Sequence, residues 1–399
     1  MNTKSKNDVV ITGIGLVTSL GVGVKAHEEL LNGSNPITPV INDQLIPPYP
    51  LHPMPEIDWN DQIPRRGDQR QMGNWQKLGV YAAGLALDDA GFKDDADGCS
   101  TMDMIVCGGG GERDSDVDTI IIEESLKRND KDVLLNEKLR TEVRPTLFLS
   151  QLSNLLAGNI SIVHKVTGSS RTFMGEEGSG VSAIETAVAR IQAGSSTHCL
   201  VGGAFVAERE DYLYVIEAIN ALETSPARPV WQRDDERGIV FGSAGVFLVL
   251  ESKEHAIARG AKIYVTIDGV LGDAGSRDEA SFAKRMAKLN SDLNISDEAN
   301  TLVLSGTSGR SQAMQFEKDY LKAHHSNGTV RTTSAIFGHA LEAQFPLGLA
   351  LGAIALKNGS QFAPFAKDMD APMSQNATKA VITSVGHHRS EGLATLSKA

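Results

Sequence analysis

Twelve consecutive residues, Phe345–Leu356 (FPLGLALGAIAL), carry no charged or hydrogen-bonding side chain. A helix that is apolar on every face must be surrounded by protein, so it belongs in the middle of the molecule. The run is too short to cross a bilayer, which takes about 20 apolar residues, and no other stretch reaches that length. The fold must therefore supply walls on all sides of this segment. Gly245–Leu250 (GVFLVL) reads as one such wall, because an unbroken apolar run of this length is the mark of a strand covered on both faces.

The rest of the chain alternates strand and helix signals. Strands are expected at Val9–Ile11, Met104–Cys107, Cys199–Val201, Ile263–Val270, Thr301–Leu304 and, as the last, Ala380–Thr383. The first is read as closing at Thr12-Gly13-Ile14-Gly15. Helices are expected from Val24 to Leu31 with Gly33 as its stop, from an Asn74 cap to Ala90 with Gly91 beyond it, and as one buried helix from Leu147 to Val163. In Gly180–Ala193, Val181, Ile184, Val188 and Ile191 recur at helical spacing. Residues 35–68 are rich in Pro, Asp and Asn and read as a long irregular loop, and the charged stretch 114–142 as an exposed helical excursion. Alternating elements predict an α/β layered protein. Two similar halves, 1–252 and 253–399, would place two sheets around the buried helices.

Composition narrows the function. The net charge of -12 disfavours a phosphate backbone as partner, so no nucleic acid is expected. Cys99, Cys107 and Cys199 show neither metal-ligand spacing nor a disulfide framework, which fits a reducing cytoplasm. The N-terminal MNTKSKNDVVITGIG has no apolar core of a signal peptide. The four glycines Gly108–Gly111 lack the Gly-Lys-Ser/Thr ending of a phosphate loop. They read as a close backbone turn, and no cofactor is expected.

Five segments in order are specific. They are VVITGIGLVTSLG (9–21), GDQRQMGNWQKLGVYAAGLALDDAG (67–91), VRPTLFLSQLSNLLAGNISIVHKVTG (143–168), SGVSAIETAVARIQAGSSTHCLVGGAF (179–205) and ARPVWQRDDERGIVFGSAGVFLVLESKEHAIARGAKIY (227–264). In order and spacing the chain resembles the β-ketoacyl synthases. The resemblance implies a thiolase-like five-layer αβαβα sandwich and a dimer.

The positions that carry the family's chemistry differ. A condensing synthase needs a cysteine thiolate at the start of its buried helix to accept an acyl group. In the family pattern T-A-C-x-S-G the cysteine position corresponds here to Glu177, within Gly175-Glu176-Glu177-Gly178-Ser179-Gly180. Of two histidines that stabilise the enolate, one position holds Ser305 and the other keeps His339. The lysine five residues before that histidine is Ser334. The glycine-rich G-F-G-G-T-N loop reads Gly386-His387-His388-Arg389-Ser390-Glu391, placing His388 among the altered positions. His387 and His388 with His339 could suggest a metal, but ligand spacing is missing along the chain, so none is expected.

No catalytic residue is therefore expected. Glu177 reads as a plug at the positive end of the buried helix. The resemblance implies a chain-length factor of type II polyketide synthesis, an inactive homologue that pairs with an active ketosynthase and shapes the acyl tunnel. Such factors usually carry glutamine where Glu177 stands, so aryl polyene pathways are an alternative home. The implied partners are the ketosynthase subunit and, through the complex, an acyl carrier protein. A second reading is a malonyl-carrier decarboxylase supplying starter units, since some synthase-like proteins with glutamine at the cysteine position decarboxylate.

Overall fold

The computed structural model describes residues 7–31, 37–233, 235–360, 362–366, 370 and 376–399. The expected helix stop Gly33 lies outside them. The strands are Val9–Thr18 (β1), Gly21–Val22 (β2), Asn42–Ile46 (β3), Tyr49–Leu51 (β4), Asp103–Gly108 (β5), Ser170–Met174 (β6), His198–Phe205 (β7), Ala244–Ser252 (β8), Val265–Asp273 (β9), Thr301–Ser305 (β10), Thr329–Thr332 (β11), Lys379–Val385 (β12) and Glu391–Lys398 (β13).

Ten of these form one path, β11-β10-β12-β13-β9-β1-β8-β7-β5-β6, with β2 beside β1. The path is the same five-strand order written twice. In β6-β5-β7-β8-β1 the first two contacts are parallel and the last two antiparallel. In β11-β10-β12-β13-β9 the same sequence of directions recurs. The two sheets expected from the sequence are thus joined, and the joint is short. β1 and β9 share only Val9↔Ile267, Val10↔Thr266 and Ile11↔Val265.

Each half carries one helix between the sheets, Glu176–Gln192 after β6 and Gln344–Asn358 after β11. These two central helices touch each other and strands of both halves. Every residue from Gln344 to Leu356 is buried, as the apolar run requires. Helices Asn74–Ala90 and Leu155–His164 cover the outer face of the first half, and Glu279–Asp292 and Ser311–His324 that of the second. Five layers result, and the largest apolar core lies around the central helices.

Several local expectations are corrected. β1 does not close at its glycines but runs through them, because they serve helix packing rather than a turn. A Cβ on Gly13 would stand 2.4 Å from the Ala86 carbonyl oxygen, and one on Gly15 1.8 Å from that of Ala82. Gly15→Ala should therefore push the helix off the sheet and cost about 1–3 kcal/mol. Gly67→Ala, where a Cβ meets nothing within 4 Å, is the control. Equal unfolding midpoints for the two variants would refute this packing argument.

The loop expected over 35–68 contains the β3–β4 hairpin and the start of a helix at Arg66–Gln71. Helix Asn74–Ala90 is capped by Gly73 rather than Asn74, with the Glu112 carboxylate accepting from the Asn74 and Trp75 N–H groups at 3.2 and 2.8 Å. The single buried helix expected over 147–163 is two, Leu147–Gln151 and Leu155–His164, broken where Leu152 turns extended. Its apolar residues are not all covered: Phe148 is 65% and Ile162 54% exposed. The charged stretch forms exposed helices Ser115–Ser125 and Lys131–Thr141. Ala380–Thr383 is not the last strand, since β13 follows it. No helix of the described residues is long and apolar enough to cross a membrane.

Candidate functional site: a buried carboxylate between two histidines

The first central helix begins earlier than its apolar periodicity suggests, which puts Glu177 in its first turn. Gly175, at φ 117°, makes the turn from β6 into that helix in a conformation that favours glycine. Glu177 is 1% exposed. Its Oε1 accepts hydrogen bonds from His339 Nε2 at 2.6 Å, His387 Nδ1 at 2.9 Å and the His387 backbone N–H at 2.9 Å. Because a carboxylate can only accept, both imidazole nitrogens facing it carry protons. Glu177 Oε2 and His339 Nδ1 have no hydrogen-bond partner among the described residues.

Burial alone would raise the Glu177 carboxyl. The charge of His387 and hydrogen bonds from both histidines outweigh it and hold the group well below the ordinary carboxylate range. His387 shifts the other way. Burial opposes its charge, but the Glu177 carboxylate beside it, with Glu176 behind, raises it above the usual imidazole value. The two form a buried ion pair, placed at the positive end of a helix that favours the anion.

The loop over this pair is tied down from outside. Arg277 Nη2 donates to the Gly386 and Ser390 carbonyls at 3.0 and 3.4 Å, and Arg310 Nη1 to the His387 carbonyl at 3.2 Å. Glu391 pairs with Arg277 and Arg285. Ser390 sits at φ 70°, the left-handed region where a non-glycine residue is strained.

The other expected positions separate. Ser305, at the end of β10, is fully buried, but its hydroxyl donates to Glu317 Oε1 at 2.7 Å. Ser334 is buried, and its hydroxyl has no partner among the described residues. His388, expected among the altered site residues, is exposed; the ring that reaches Glu177 belongs to His387, one residue earlier. A glycine-rich pattern carries no sign of which histidine turns inward.

Glu177, His339 and His387 are also a donor set able to hold a metal ion, with their ligand atoms within 4.8 Å of one another. The sequence suggests His339 with His387, and the structure adds Glu177 in place of His388, since the members come from three distant segments. In this structure the same atoms are joined directly by hydrogen bonds, so an ion would have to replace the protons between them.

Chemically, the arrangement offers a held carboxylate. An anion held by three N–H donors is a weak nucleophile, and a carboxylate does not exchange with thioesters as a thiolate does. Cys99, Cys107 and Cys199 are buried, and burial pushes all three thiols up, away from the reactive thiolate.

Comparison with known proteins agrees with this scaffold. Residues 6–256 match the family model for the β-ketoacyl synthase N-terminal domain. The chain is 31% identical over 284 residues to 3-oxoacyl-[acyl-carrier-protein] synthase 2 of Rhizobium meliloti, covering 67% of this chain and 64% of that protein. It is 27% identical to the same-named protein of Vibrio cholerae, over 85% of this chain and 83% of that one. Among solved structures, the ishigamide ketosynthase/chain length factor superposes with a TM-score of 0.79 at 20% identity, covering 99% of this chain and 100% of that one. The type II polyketide synthase complex AntDE:AntF, an acyl-carrier protein with its ketosynthase bound to the hexaketide, gives 0.71 at 16% identity, with 99% and 100% covered. A family match over more than half the length, on a doubled five-strand sheet around two buried helices, makes this chain a member of the β-ketoacyl synthase family with the thiolase-like fold.

Proposed function

We propose that this chain is a non-catalytic chain-length factor: it pairs with an active β-ketoacyl synthase and shapes the tunnel for the growing acyl or polyene chain. The observation that carries this reading is the buried Glu177 locked by His339 and His387, at the position the motif reading assigns to the family's nucleophile. Ser305, Ser334 and the exposed His388 complete a set of altered positions in which no residue takes a catalytic role. The likeness to a ketosynthase/chain length factor structure supports the same reading. The setting is type II polyketide synthesis, with aryl polyene synthesis as the variant that tolerates glutamate, and the place of work is the cytoplasm. Residues 1–252 and 253–399 are then the two ketosynthase-like halves, a division supported by the repeated strand order.

A partner subunit is supported by the sheet's open end. β6 is an edge strand with no neighbour beyond it among the described residues, and Met174 at its end is 70% exposed. Natural sheets rarely leave such an edge uncovered, because it templates pairing with other chains. The acyl carrier protein would reach this chain only through the complex, as AntF sits with its ketosynthase. The decarboxylase reading is disfavoured by charge, since an ionised Glu177 would repel the enolate that decarboxylation leaves.

Co-expression with candidate ketosynthases, followed by intact-mass determination, tests the proposal. A one-to-one heterodimer whose partner alone carries the acylatable cysteine is expected. A homodimer that ignores every ketosynthase and releases carbon dioxide from malonyl carrier would replace this reading with the decarboxylase.

A further inference from the structure

The hydrogen bonding around Glu177 is lopsided. Its Oε1 takes three N–H donors, while its buried Oε2 has no partner among the described residues. Glu176 Oε2, one residue earlier, is a buried atom without a partner there as well. A buried carboxylate oxygen left unsatisfied is costly. Arg277 and Arg310 behind the loop do not relieve either atom, since they bind the loop's carbonyls and Glu391. Two acids and two imidazoles thus converge on one spot, with carboxylate oxygens to spare.

We propose that Glu177, His339 and His387 form a site for one divalent first-row metal ion of the zinc class, and that the bound ion clamps the loop over residues 386–391 to the start of the first central helix. Two imidazoles and a carboxylate suit such ions, whereas magnesium and calcium take oxygen ligands. The geometry is within reach. Metal bonds of roughly 2.0–2.1 Å in a tetrahedral site place ligand atoms about 3.3 Å apart. The facing pairs stand at 2.6 and 2.9 Å, and one donor atom from each residue lies within 4.8 Å of the others. Opening the pairs by about half an ångström therefore makes room for the ion. Each ring gives its facing nitrogen to the ion and carries its proton on the far one, Nδ1 of His339 and Nε2 of His387. His387 Nε2 already faces Glu176 Oε1 at 3.8 Å. A carboxylate behind a ligating histidine is the usual means of orienting its ring. Glu177 Oε2 supplies a fourth ligand atom, so the site is closed and structural rather than open to substrate. His339 and His387 lie 162 and 210 residues from Glu177, so one ion ties the second half of the chain to the first.

Cobalt(II), whose visible absorption is strong in a four-coordinate site and faint in water, is the probe, titrated into the full-length chain after chelator treatment and dialysis. Strong absorption that saturates at about one equivalent and is displaced by zinc(II) is expected. Added zinc should also raise the unfolding midpoint, since it binds the folded chain. Glu177→Gln keeps an acceptor for the three donors but offers a poor ligand. It is expected to lose the absorption or to weaken cobalt binding by more than about 100-fold, beyond the cost of losing an outer partner. Glu176→Gln, behind His387, should weaken binding roughly tenfold. His388→Ala, at the exposed neighbour, should change nothing and separates this site from surface histidines. Faint cobalt absorption in the unmodified chain would overturn the proposal, as would strong absorption that survives unchanged in Glu177→Gln and Glu176→Gln. The first of these outcomes needs no variant and is read even if Glu177→Gln does not fold. The titration needs no ketosynthase, so its failure is distinct from a failure to form the heterodimer.

Discussion

Glu177→Leu is expected to lower the stability of the chain by about 3–5 kcal/mol near pH 6, more than any other single substitution at the site. Removing one partner of a buried ion pair leaves the other charge without compensation, and that loss exceeds what the pair itself is worth. Here the stranded group is His387, whose ring is nearly enclosed and whose proton is held by Glu177. His339 Nε2 and the His387 backbone N–H lose their acceptor at the same time. Glu177→Gln keeps an oxygen for these donors and should cost less. The double variant Glu177→Leu, His387→Leu should recover part of the loss, since it removes both members of the pair together. The measurement is the unfolding midpoint of these three variants and of His387→Leu alone, at one protein concentration and in one assembly state. Additive losses in the double variant would show that Glu177 and His387 are not coupled, and the plug would lose its physical basis.

The coupling also shows what the sequence could and could not reveal. The central helix over Phe345–Leu356 was legible because uniform apolarity leaves only one environment for it. In the sequence Gly13 and Gly15 suggest a turn that would end β1, while in three dimensions they make room for the carbonyls of a crossing helix. β13 was missed because EGLATLSK mixes polar and apolar residues, and its neighbours β12 and β9 bury most of it. That Glu177 stands at the proposed nucleophile position is read from the motif alone. Its two imidazole partners lie 162 and 210 residues away, so no local pattern could pair them. Of the metal-capable donor set, His339 and His387 stand out in the sequence as paired histidines, but Glu177 does not join them for the same reason. The buried Glu342 was hidden differently, as one acid beside an apolar helix where a surface position would be the ordinary expectation.

Glu342 and Glu317 each make the fold less stable as pH rises toward 7. Burial raises both carboxyls to about 7, in Glu317 against hydrogen bonds from Thr383 and Ser305 and in Glu342 with Glu177 adding to the effect. A carboxyl raised in the folded state binds its proton more tightly there than in the unfolded chain. As pH climbs above about 4.5 the unfolded chain releases that proton while the folded one keeps it, so stability falls until the folded group ionises near pH 7. Each acid then costs about 2–3 kcal/mol between roughly pH 5 and pH 8. The acid limit has the opposite sign. Burial lowers His27, His52 and His164 to about 4, so the stability of their neutral forms is lost as pH falls from about 6.5 toward that value. The optimum is expected between about pH 6 and pH 7. Glu342→Gln cannot ionise, so its stability relative to the unmodified chain should rise by about 2–3 kcal/mol on going from pH 5 to pH 8, read from paired urea midpoints. Glu317→Gln should behave alike, and the two gains should add, because the groups share no hydrogen-bond partner. A difference independent of pH would mean that Glu342 is already ionised in the folded chain.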